Sequence, residues 1–418
     1  MRTNARTTVV VGAGLALAVA TFGVAVSALT GGGPGHAREA ARTISRRPAP
    51  RIAVPTGLAK RRVGGPLLAR RGILVSYGRG RARPLPTVPA SAYVIANAGT
   101  GIVLAAKDPH GLFAPASTLK VLTAVTMLPR LNPDAMVLAT RRAASVVPNI
   151  VGVIPGHRYR VADLFRALLL ISANDAAVSL VQASESFATG MALMNSEARH
   201  LQAYDVVAKQ PNGLPAPGQV VSAYDLALIA RRALAMPAFM RYDETLSATF
   251  PLRRHHDVAL INQNYLLTQY RGGIGGKIGW TVKAEATYIG MARRHGVTLI
   301  VTIMHATPLT EITSAESLLN WGFAMNGQAR PVGVLVPPLP ARAVVATDQA
   351  LPGRGHAAAR TDRVAHAGRV ARVARRTAAA LHIGIGRIPL ADKAVTAFWA
   401  VGVVAALVWL RVRRRRRA

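Results

Sequence analysis

The chain predicts an α+β fold in which an early hairpin and several late strands share one mostly antiparallel sheet beside a helical block. Residues 91–108 form two apolar runs around the turn Ala98 to Gly101, which is typical of a hairpin. The following segment has helical character, and residues 274–304 return to strand-like runs joined by short polar turns. This order indicates a single α+β domain.

Local signals predict the individual elements. After Pro115 the segment 117–129 is apolar enough for a buried helix, and Ser222 is a suitable N-cap for a helix over 222–235. The other expected helices are 161–171, 174–185, 190–203 and 311–325, and the expected late strands are 274–282, 286–293 and 297–304.

Two uncharged apolar segments lie outside this domain. Residues 7–29 follow two arginines and predict a signal peptide, cleaved after Val26-Ser-Ala28, or a signal-anchor; both remain open. Residues 394–410 precede five consecutive arginines and predict a transmembrane helix, with a buried core helix as the alternative. The expected segments are 1–30 signal or anchor, 31–88 Pro/Gly/Arg-rich linker, 89–328 folded domain, 329–393 basic linker, 394–410 transmembrane helix and 411–418 cytoplasmic tail.

The composition excludes some chemistry. The chain has no cysteine, so it has no disulfide, no cysteine nucleophile and no thiolate metal site. Its formal net charge of +34 would fit nucleic-acid binding, but much of the excess lies in segments 61–83 and 354–387, outside the expected domain core. We expect membrane-proximal linkers that contact anionic polymer or lipid head groups, and no nucleic-acid partner. Basic linkers without a specific partner remain the alternative.

Ser117 and Lys120 open the apolar helix. A separation of three residues places the hydroxyl and the amine on one helix face, one turn apart. An amine can accept the proton of a serine nucleophile when burial or a second cation lowers its pKa. The alternative is a serine cap with a lysine that extends to solvent.

Two further clusters carry polar groups in apolar surroundings. Ser172 and Asn174 lie at a break between two helices and could point into one cleft, although Asn174 could instead cap the next helix. Lys277 enters a glycine-rich strand along which an extended ligand could lie, and its charge would suit a carboxylate. The alternative is a glycine-rich turn with an exposed lysine.

The three clusters occur in the order SxxK, SxN and KxG, in "APASTLKVLTA", "LLLISANDAA" and "GGKIGWTVKAEATYIGMA". In this order the sequence resembles the serine D-alanyl-D-alanine carboxypeptidases, the low-molecular-mass penicillin-binding proteins. The resemblance runs from about residue 90 to residue 326. It implies a β-lactamase/penicillin-binding-protein-like fold, with an antiparallel sheet packed against a mainly helical subdomain.

The resemblance also implies roles. Ser117 would be the nucleophile and Lys120 its base, while Lys277 would bind the substrate carboxylate and keep Lys120 deprotonated. The other implied site residues are Ser172 as proton relay, Asn174 and Gly279 beside the substrate peptide, Trp280 with Ser117 as backbone oxyanion donors, and Thr281 as a hydroxyl residue typical of this motif.

Ile278 departs from the family pattern, which has threonine or serine there. A lost hydrogen bond to a charged group costs about 1.5–3 kcal/mol, so we expect weakened or redirected activity with the strand intact. The implied enzyme is a cell-membrane carboxypeptidase, single- or two-pass, with its catalytic domain outside the cytoplasm. Its partners would be peptidoglycan stem peptides, β-lactams as inhibitors, and membrane lipid around the C-terminal helix.

Other classes fit less well. A class A β-lactamase needs a deacylating glutamate that we do not find between Asn174 and Lys277, and neither GxSxG nor HExxH occurs. His255 and His256 are expected to be a surface pair, so neither metal nor cofactor is implied. A binding scaffold that keeps the fold but has weakened catalysis stays open because of Ile278.

Overall fold

The computed structural model describes residues 8–9, 63–78, 83–254 and 256–340. The strands are β1 Thr8–Val9, β2 Ile73–Tyr77, β3 Ala90–Asn97, β4 Ile102–Lys107, β5 Met136–Leu138, β6 Arg158–Arg160, β7 Ser247–Arg253, β8 His256–Ile261, β9 Gly273–Thr281, β10 Glu285–Arg294, β11 Val297–Ala306, β12 Ala329–Arg330 and β13 Gly333–Val334. The α-helices are α1 Lys120–Met127, α2 Arg141–Ala144, α3 Val161–Leu170, α4 Asn174–Gln182, α5 Phe187–His200, α6 Ala223–Leu234, α7 Pro237–Asp243, α8 Leu266–Gln269 and α9 Glu311–Met325. Pro66–Ala69 and Ala116–Leu119 are short 3₁₀ helices.

One large sheet organises these elements. Its strand order is β12-β2-β4-β3-β11-β10-β9, with β13 paired to β4, and its pairings are antiparallel. The early hairpin β3–β4 and the late strands β9 to β11 therefore share one sheet, which confirms the α+β prediction. Strand β9 is an edge strand, so its outer side is free of sheet neighbours among the described residues.

Side chains alternate between the two faces of this sheet, and each face has its own apolar core. The face that carries Val94 and Ile289, here called the helical-block face, packs against α6 and continues into α1, α3 and α4. The face that carries Ile95 and Tyr288, here called the α9 face, packs against α9. The sheet therefore lies between a thick helical layer and a single helix.

The sheet extends beyond the expected domain of 89–328. Strand β2, within the expected linker 31–88, pairs with β4, and β12 and β13 within the expected linker 329–393 complete that side of the sheet. The sequence predicted linkers here because the surrounding residues are rich in glycine, proline and arginine. The short strands form because they pair with strands that are distant in the chain.

None of the helices in the described part of the chain is long and apolar enough to cross a membrane. The predicted segments 394–410 and 411–418 lie outside the described residues, as does all of 1–30 except β1. Strand β1 pairs in parallel with β8, beside the small β7–β8 hairpin. His255 also lies outside the described residues.

Candidate active site

Ser117 lies at the junction of the helical block and the sheet. It occupies the 3₁₀ turn Ala116–Leu119 that leads directly into α1. A Cβ atom added at Gly279 would lie 2.7 Å from the backbone nitrogen of Ser117, so only glycine lets β9 come this close. Thr287 on β10 donates a hydrogen bond of 2.9 Å to the carbonyl of Pro115. The nucleophile candidate is thereby held against the edge of the sheet.

Lys120 is fully buried beside Ser117. Its Nζ atom lies 2.8 Å from Ser117 Oγ, 2.7 Å from Asn174 Oδ1 and 2.8 Å from the carbonyl oxygen of Asn212. Burial, and secondly the charge of Lys277, hold the pKa of the Lys120 amine well below its usual range. In the neutral amine, two N–H groups can donate to Asn174 and Asn212, which leaves the lone pair for the hydroxyl of Ser117.

Asn174 begins α4 and orients Lys120. Its Oδ1 accepts from Lys120, and its Nδ2 donates to the carbonyl of Val147 at 2.9 Å, which fixes the direction of the amide. One N–H of Nδ2 is left for a ligand. Ser172 precedes it in the turn between α3 and α4 with φ of 61°, and its buried Oγ has no hydrogen-bond partner among the described residues.

Asp175 secures the loop that supports this turn. Its carboxylate is 1 % exposed and accepts from the backbone nitrogens of Val151 at 3.0 Å, Gly152 at 2.7 Å and Val153 at 2.9 Å. Three backbone donors compensate a buried carboxylate well. Asp175 therefore fixes the segment before α3 against the start of α4.

Lys277 points from β9 to the helical-block face, where it is 2 % exposed. Its Nζ donates to the carbonyl of Ile278 at 2.9 Å. Burial lowers the pKa of Lys277 to about 7, against the opposing effect of the Asp243 carboxylate. Burial likewise raises the pKa of Asp243 to about 7, although Asp243 accepts from the Gly276 nitrogen at 2.7 Å and feels the charge of Lys277.

The remaining predicted residues of β9 occupy different environments. Gly279 touches the Ser117 segment, and Thr281 Oγ1 accepts from the Ala284 nitrogen at 3.0 Å within the hairpin turn. Trp280 is 49 % exposed. Ile278, opposite Tyr288, packs on the α9 face, away from the face of Lys277.

Two site residues were not found from the sequence. Asn212 contributes a backbone carbonyl, which carries no sequence signal, although Gly213 beside it has φ of 80° and no room for a side chain against Ala116. Asp243 is the last residue of α7, and a polar residue at the end of a helix is too common to indicate a functional site. Its role depends on contact with a strand more than thirty residues later, so only the fold identifies it.

Comparison with known proteins connects this geometry to a family. The family model for D-alanyl-D-alanine carboxypeptidase (Peptidase_S11) matches residues 80–308, which is more than half of the chain. The chain belongs to the D-alanyl-D-alanine carboxypeptidase family. As a member of this family it is a serine-type hydrolase, and the sequence resemblance is confirmed.

Named relatives agree with this membership. D-alanyl-D-alanine carboxypeptidase DacB2 of Mycobacterium tuberculosis is 37 % identical over 252 residues, which span 59 % of this chain and 86 % of that protein. DacF of Bacillus subtilis is 26 % identical, with 56 % of this chain and 62 % of that protein covered. The part of this chain that carries the family resemblance is the described domain rather than the flanking segments.

Solved structures show the same fold. A D-alanyl-D-alanine carboxypeptidase from Mycobacterium tuberculosis superposes with a TM-score of 0.58 at 36 % identity, covering 63 % of this chain and 99 % of that one. The S96A variant of the Streptomyces K15 DD-transpeptidase gives a TM-score of 0.54 at 26 % identity, covering 57 % of this chain and 99 % of that one. The carboxypeptidase domain therefore has the penicillin-binding-protein fold.

Proposed function

We propose that this carboxypeptidase removes the terminal D-alanine of peptidoglycan stem peptides through an acyl-enzyme on Ser117, and that β-lactams acylate the same residue. The observation that carries the proposal is the contact of 2.8 Å between Lys120 Nζ and Ser117 Oγ. Because burial and the charge of Lys277 hold the pKa of the Lys120 amine well below its usual range, they favour the neutral form that a general base requires.

The proposed acylation balances protons within this site. Ser117 Oγ attacks the carbonyl carbon of the penultimate D-alanine while its proton passes to Lys120 Nζ. Collapse of the tetrahedral intermediate breaks the peptide bond, and the leaving amine of D-alanine takes up a proton, relayed by Ser172 from Lys120. Water then attacks the ester, Ser117 Oγ regains its proton, and the shortened peptide leaves as a carboxylate.

The substrate groups have complementary partners. The cationic form of Lys277, whose pKa burial lowers to about 7, would bind the terminal carboxylate, and Thr281 offers a hydroxyl four residues further along the strand. Backbone N–H groups of Ser117 and Trp280 would stabilise the oxyanion. The remaining N–H of Asn174 would hold a peptide carbonyl of the substrate, while Gly279 allows the substrate to approach the edge strand.

Labelling with a fluorescent penicillin tests the acyl-enzyme directly. We expect the wild type to form a covalent adduct and the Ser117→Ala variant to form none. Release of D-alanine from a peptide ending in D-Ala-D-Ala, measured on the same samples, tests the hydrolase. Absence of a Ser117-dependent adduct would refute the mechanism.

We also propose that the domain lies outside the cytoplasm, tethered by segments 7–29 or 394–410 or by both. The apolar segments and their flanking arginines support this proposal. Deletion of 394–418 should move the protein from the membrane fraction to the soluble fraction if the first segment is cleaved. Retention after deletion of both segments would contradict tethering by them.

A second candidate is a scaffold that binds stem peptides without turning them over. Ile278 favours it, because the hydroxyl that the family places at this position is absent. The two candidates differ in one readout, since a scaffold would bind the peptide but release no D-alanine.

A further inference from the structure

A cationic cavity lies on the α9 side of the sheet, apart from the active site. It has a volume of about 610 Å³ and is lined by Arg83, Arg271, Arg294, His295, Val297, Asn320, Phe323 and Ala324. None of these residues is among the hydrogen-bond partners given above for Ser117, Lys120 and Lys277. Val297 and Phe323 pack on the apolar core of the α9 face, which places the cavity on the opposite face from Ser117.

Arg294 lines this cavity and is oriented by four contacts. Its guanidinium lies 4.4 Å from the ring centre of Tyr270 and 4.8 Å from that of Phe323. Its Nε donates to the carbonyl of Arg271 at 2.9 Å, and its Nη1 donates to Asn320 Oδ1 at 3.1 Å. The Nη2 group has no hydrogen-bond partner among the described residues, so its N–H groups remain for a ligand on a guanidinium that the other contacts already orient.

Asn320 is oriented in the same way. Its Oδ1 accepts from both Arg294 and the hydroxyl of Tyr270, the latter at 2.9 Å. With the oxygen used twice, the amide NH₂ is the end that remains for a ligand. The wall thus presents donors rather than acceptors.

The arginines around the cavity have no ion-pair partner among the described residues. Among the described residues, Arg83, Arg271 and Arg294 form no ion pair, whereas Arg130, Arg160, Arg166 and Arg232 each lie within 4.0 Å of a carboxylate. The carboxylate of Glu316 on α9 lies near enough to Tyr270 to raise the pKa of its hydroxyl. Glu316 makes no ion pair with these three arginines. Three like charges held around one cavity repel each other, and an anion bound between them would relieve that repulsion.

We propose that this cavity is a second ligand site that binds a phosphate group carried on a small organic molecule. Guanidinium groups match phosphate oxygens in bidentate geometry, and several cations around one site favour a phosphate over a single carboxylate. The volume is within the range of about 300–1,000 Å³ usual for small-molecule sites, which leaves room for the organic part beside the phosphate.

Calorimetric titration of the full chain in detergent tests this site. The probes are sn-glycerol 3-phosphate, short-chain phosphatidylglycerol below its micellar concentration, and acetate as a carboxylate control at equal ionic strength. We expect saturable binding of a phosphate probe, and at least a roughly tenfold loss of affinity in Arg271→Gln and in Arg294→Gln, as for the removal of a charge-assisted hydrogen bond.

The choice of variants distinguishes binding at this cavity from nonspecific attraction of anions to a positively charged chain. Arg271 is exposed and its side chain makes no hydrogen bond or ion pair within the described residues, so Arg271→Gln should leave folding unchanged. Arg330→Gln is the matched control, because Arg330 is exposed on β12 at the other side of the sheet. It should bind like the wild type, and the melting temperatures of all variants are compared to exclude unfolding.

Each outcome decides the proposal. Arg271-dependent binding of glycerol phosphate identifies a soluble or polymer-linked phosphate as the source, and Arg271-dependent binding of phosphatidylglycerol alone identifies a lipid headgroup. Equal affinity of wild type and Arg271→Gln for the phosphates, acetate binding as tight as phosphate binding, or no saturable binding by the wild type would each overturn it.

Discussion

The helical-block face and the α9 face of the sheet bury different chemistry. Against the first lie Lys120, Lys277, Asn174 and Asp243, each at most 3 % exposed. The core of the second is formed by aliphatic and aromatic side chains such as Ile95, and its arginines lie at the rim. Buried charges are costly unless they are paired or shifted in pKa, so one face is adapted to chemistry and the other to stability.

The largest effect is expected for Lys120→Met, which removes the proposed base but keeps an unbranched side chain of similar length. Acylation by a fluorescent penicillin should slow by about 10²- to 10⁴-fold, the usual contribution of a general base. Lys283→Met, at an exposed lysine in the β9–β10 turn, is the control and should leave the rate unchanged. A rate within twofold of the wild type for Lys120→Met would exclude Lys120 as the base.

On the α9 face, Leu318→Ala should affect stability without affecting chemistry. Leu318 is fully buried in the second core, and such a truncation costs about 2–5 kcal/mol of unfolding free energy. Urea unfolding measures the loss, and kcat/KM per folded molecule should remain that of the wild type. Lower kcat/KM in fully folded protein would show that the two faces are not independent.

Gly279→Ala tests the contact between the helical block and the edge strand. The added Cβ would lie 2.5 Å from Thr287 Oγ1 and 2.7 Å from the Ser117 nitrogen, so the strand must move away from the nucleophile. A displacement of about 1 Å can cost roughly 10²-fold in rate, and we expect kcat to fall on that scale. Gly99→Ala, in a turn where the nearest atom would be 3.4 Å away, should be nearly silent.

Asp243→Asn tests whether the Asp243 carboxylate stabilises the protonated form of Lys277. The Asp243 carboxylate raises the pKa of Lys277, which lies at about 7, so its removal should lower that pKa further. Because the cation exists below its pKa, the alkaline limb of the kcat/KM profile should move to lower pH, with KM raised more than kcat is lowered. Glu244→Gln, at the exposed neighbour, is the control, and an unmoved alkaline limb in Asp243→Asn would contradict this role.

The smallest effect is expected at Ile278. A threonine should raise D-alanine release if its hydroxyl can reach the substrate carboxylate around the edge of β9. However, Ile278 packs on the α9 face, and a hydroxyl placed among apolar groups costs about 1–3 kcal/mol, so we expect a gain below tenfold with some loss of stability. Ile278→Val controls for packing, and an Ile278→Thr variant no faster than Ile278→Val would show that the missing hydroxyl does not limit D-alanine release.

The sequence by itself determined the elements that have strong local signals. The hairpin β3–β4, the helix α9 and the cap at Ser222, whose hydroxyl accepts from the Asp225 nitrogen at 3.1 Å, follow from periodicity and turn chemistry. The motif order likewise predicted Ser117, Lys120 and Asn174 as site residues, and the fold places Lys120 within hydrogen-bonding distance of the other two.

Only the tertiary structure decided the rest. Strand β2 and residues Asn212 and Asp243 depend on partners far away in the chain, and a backbone carbonyl or a helix-terminal carboxylate has no local signature. The pKa values of Lys120 and Lys277 depend on burial, and burial is a property of the assembled layers. The face on which Ile278 lies is fixed by the register of β9 with β10, which no local pattern specifies in a glycine-rich strand.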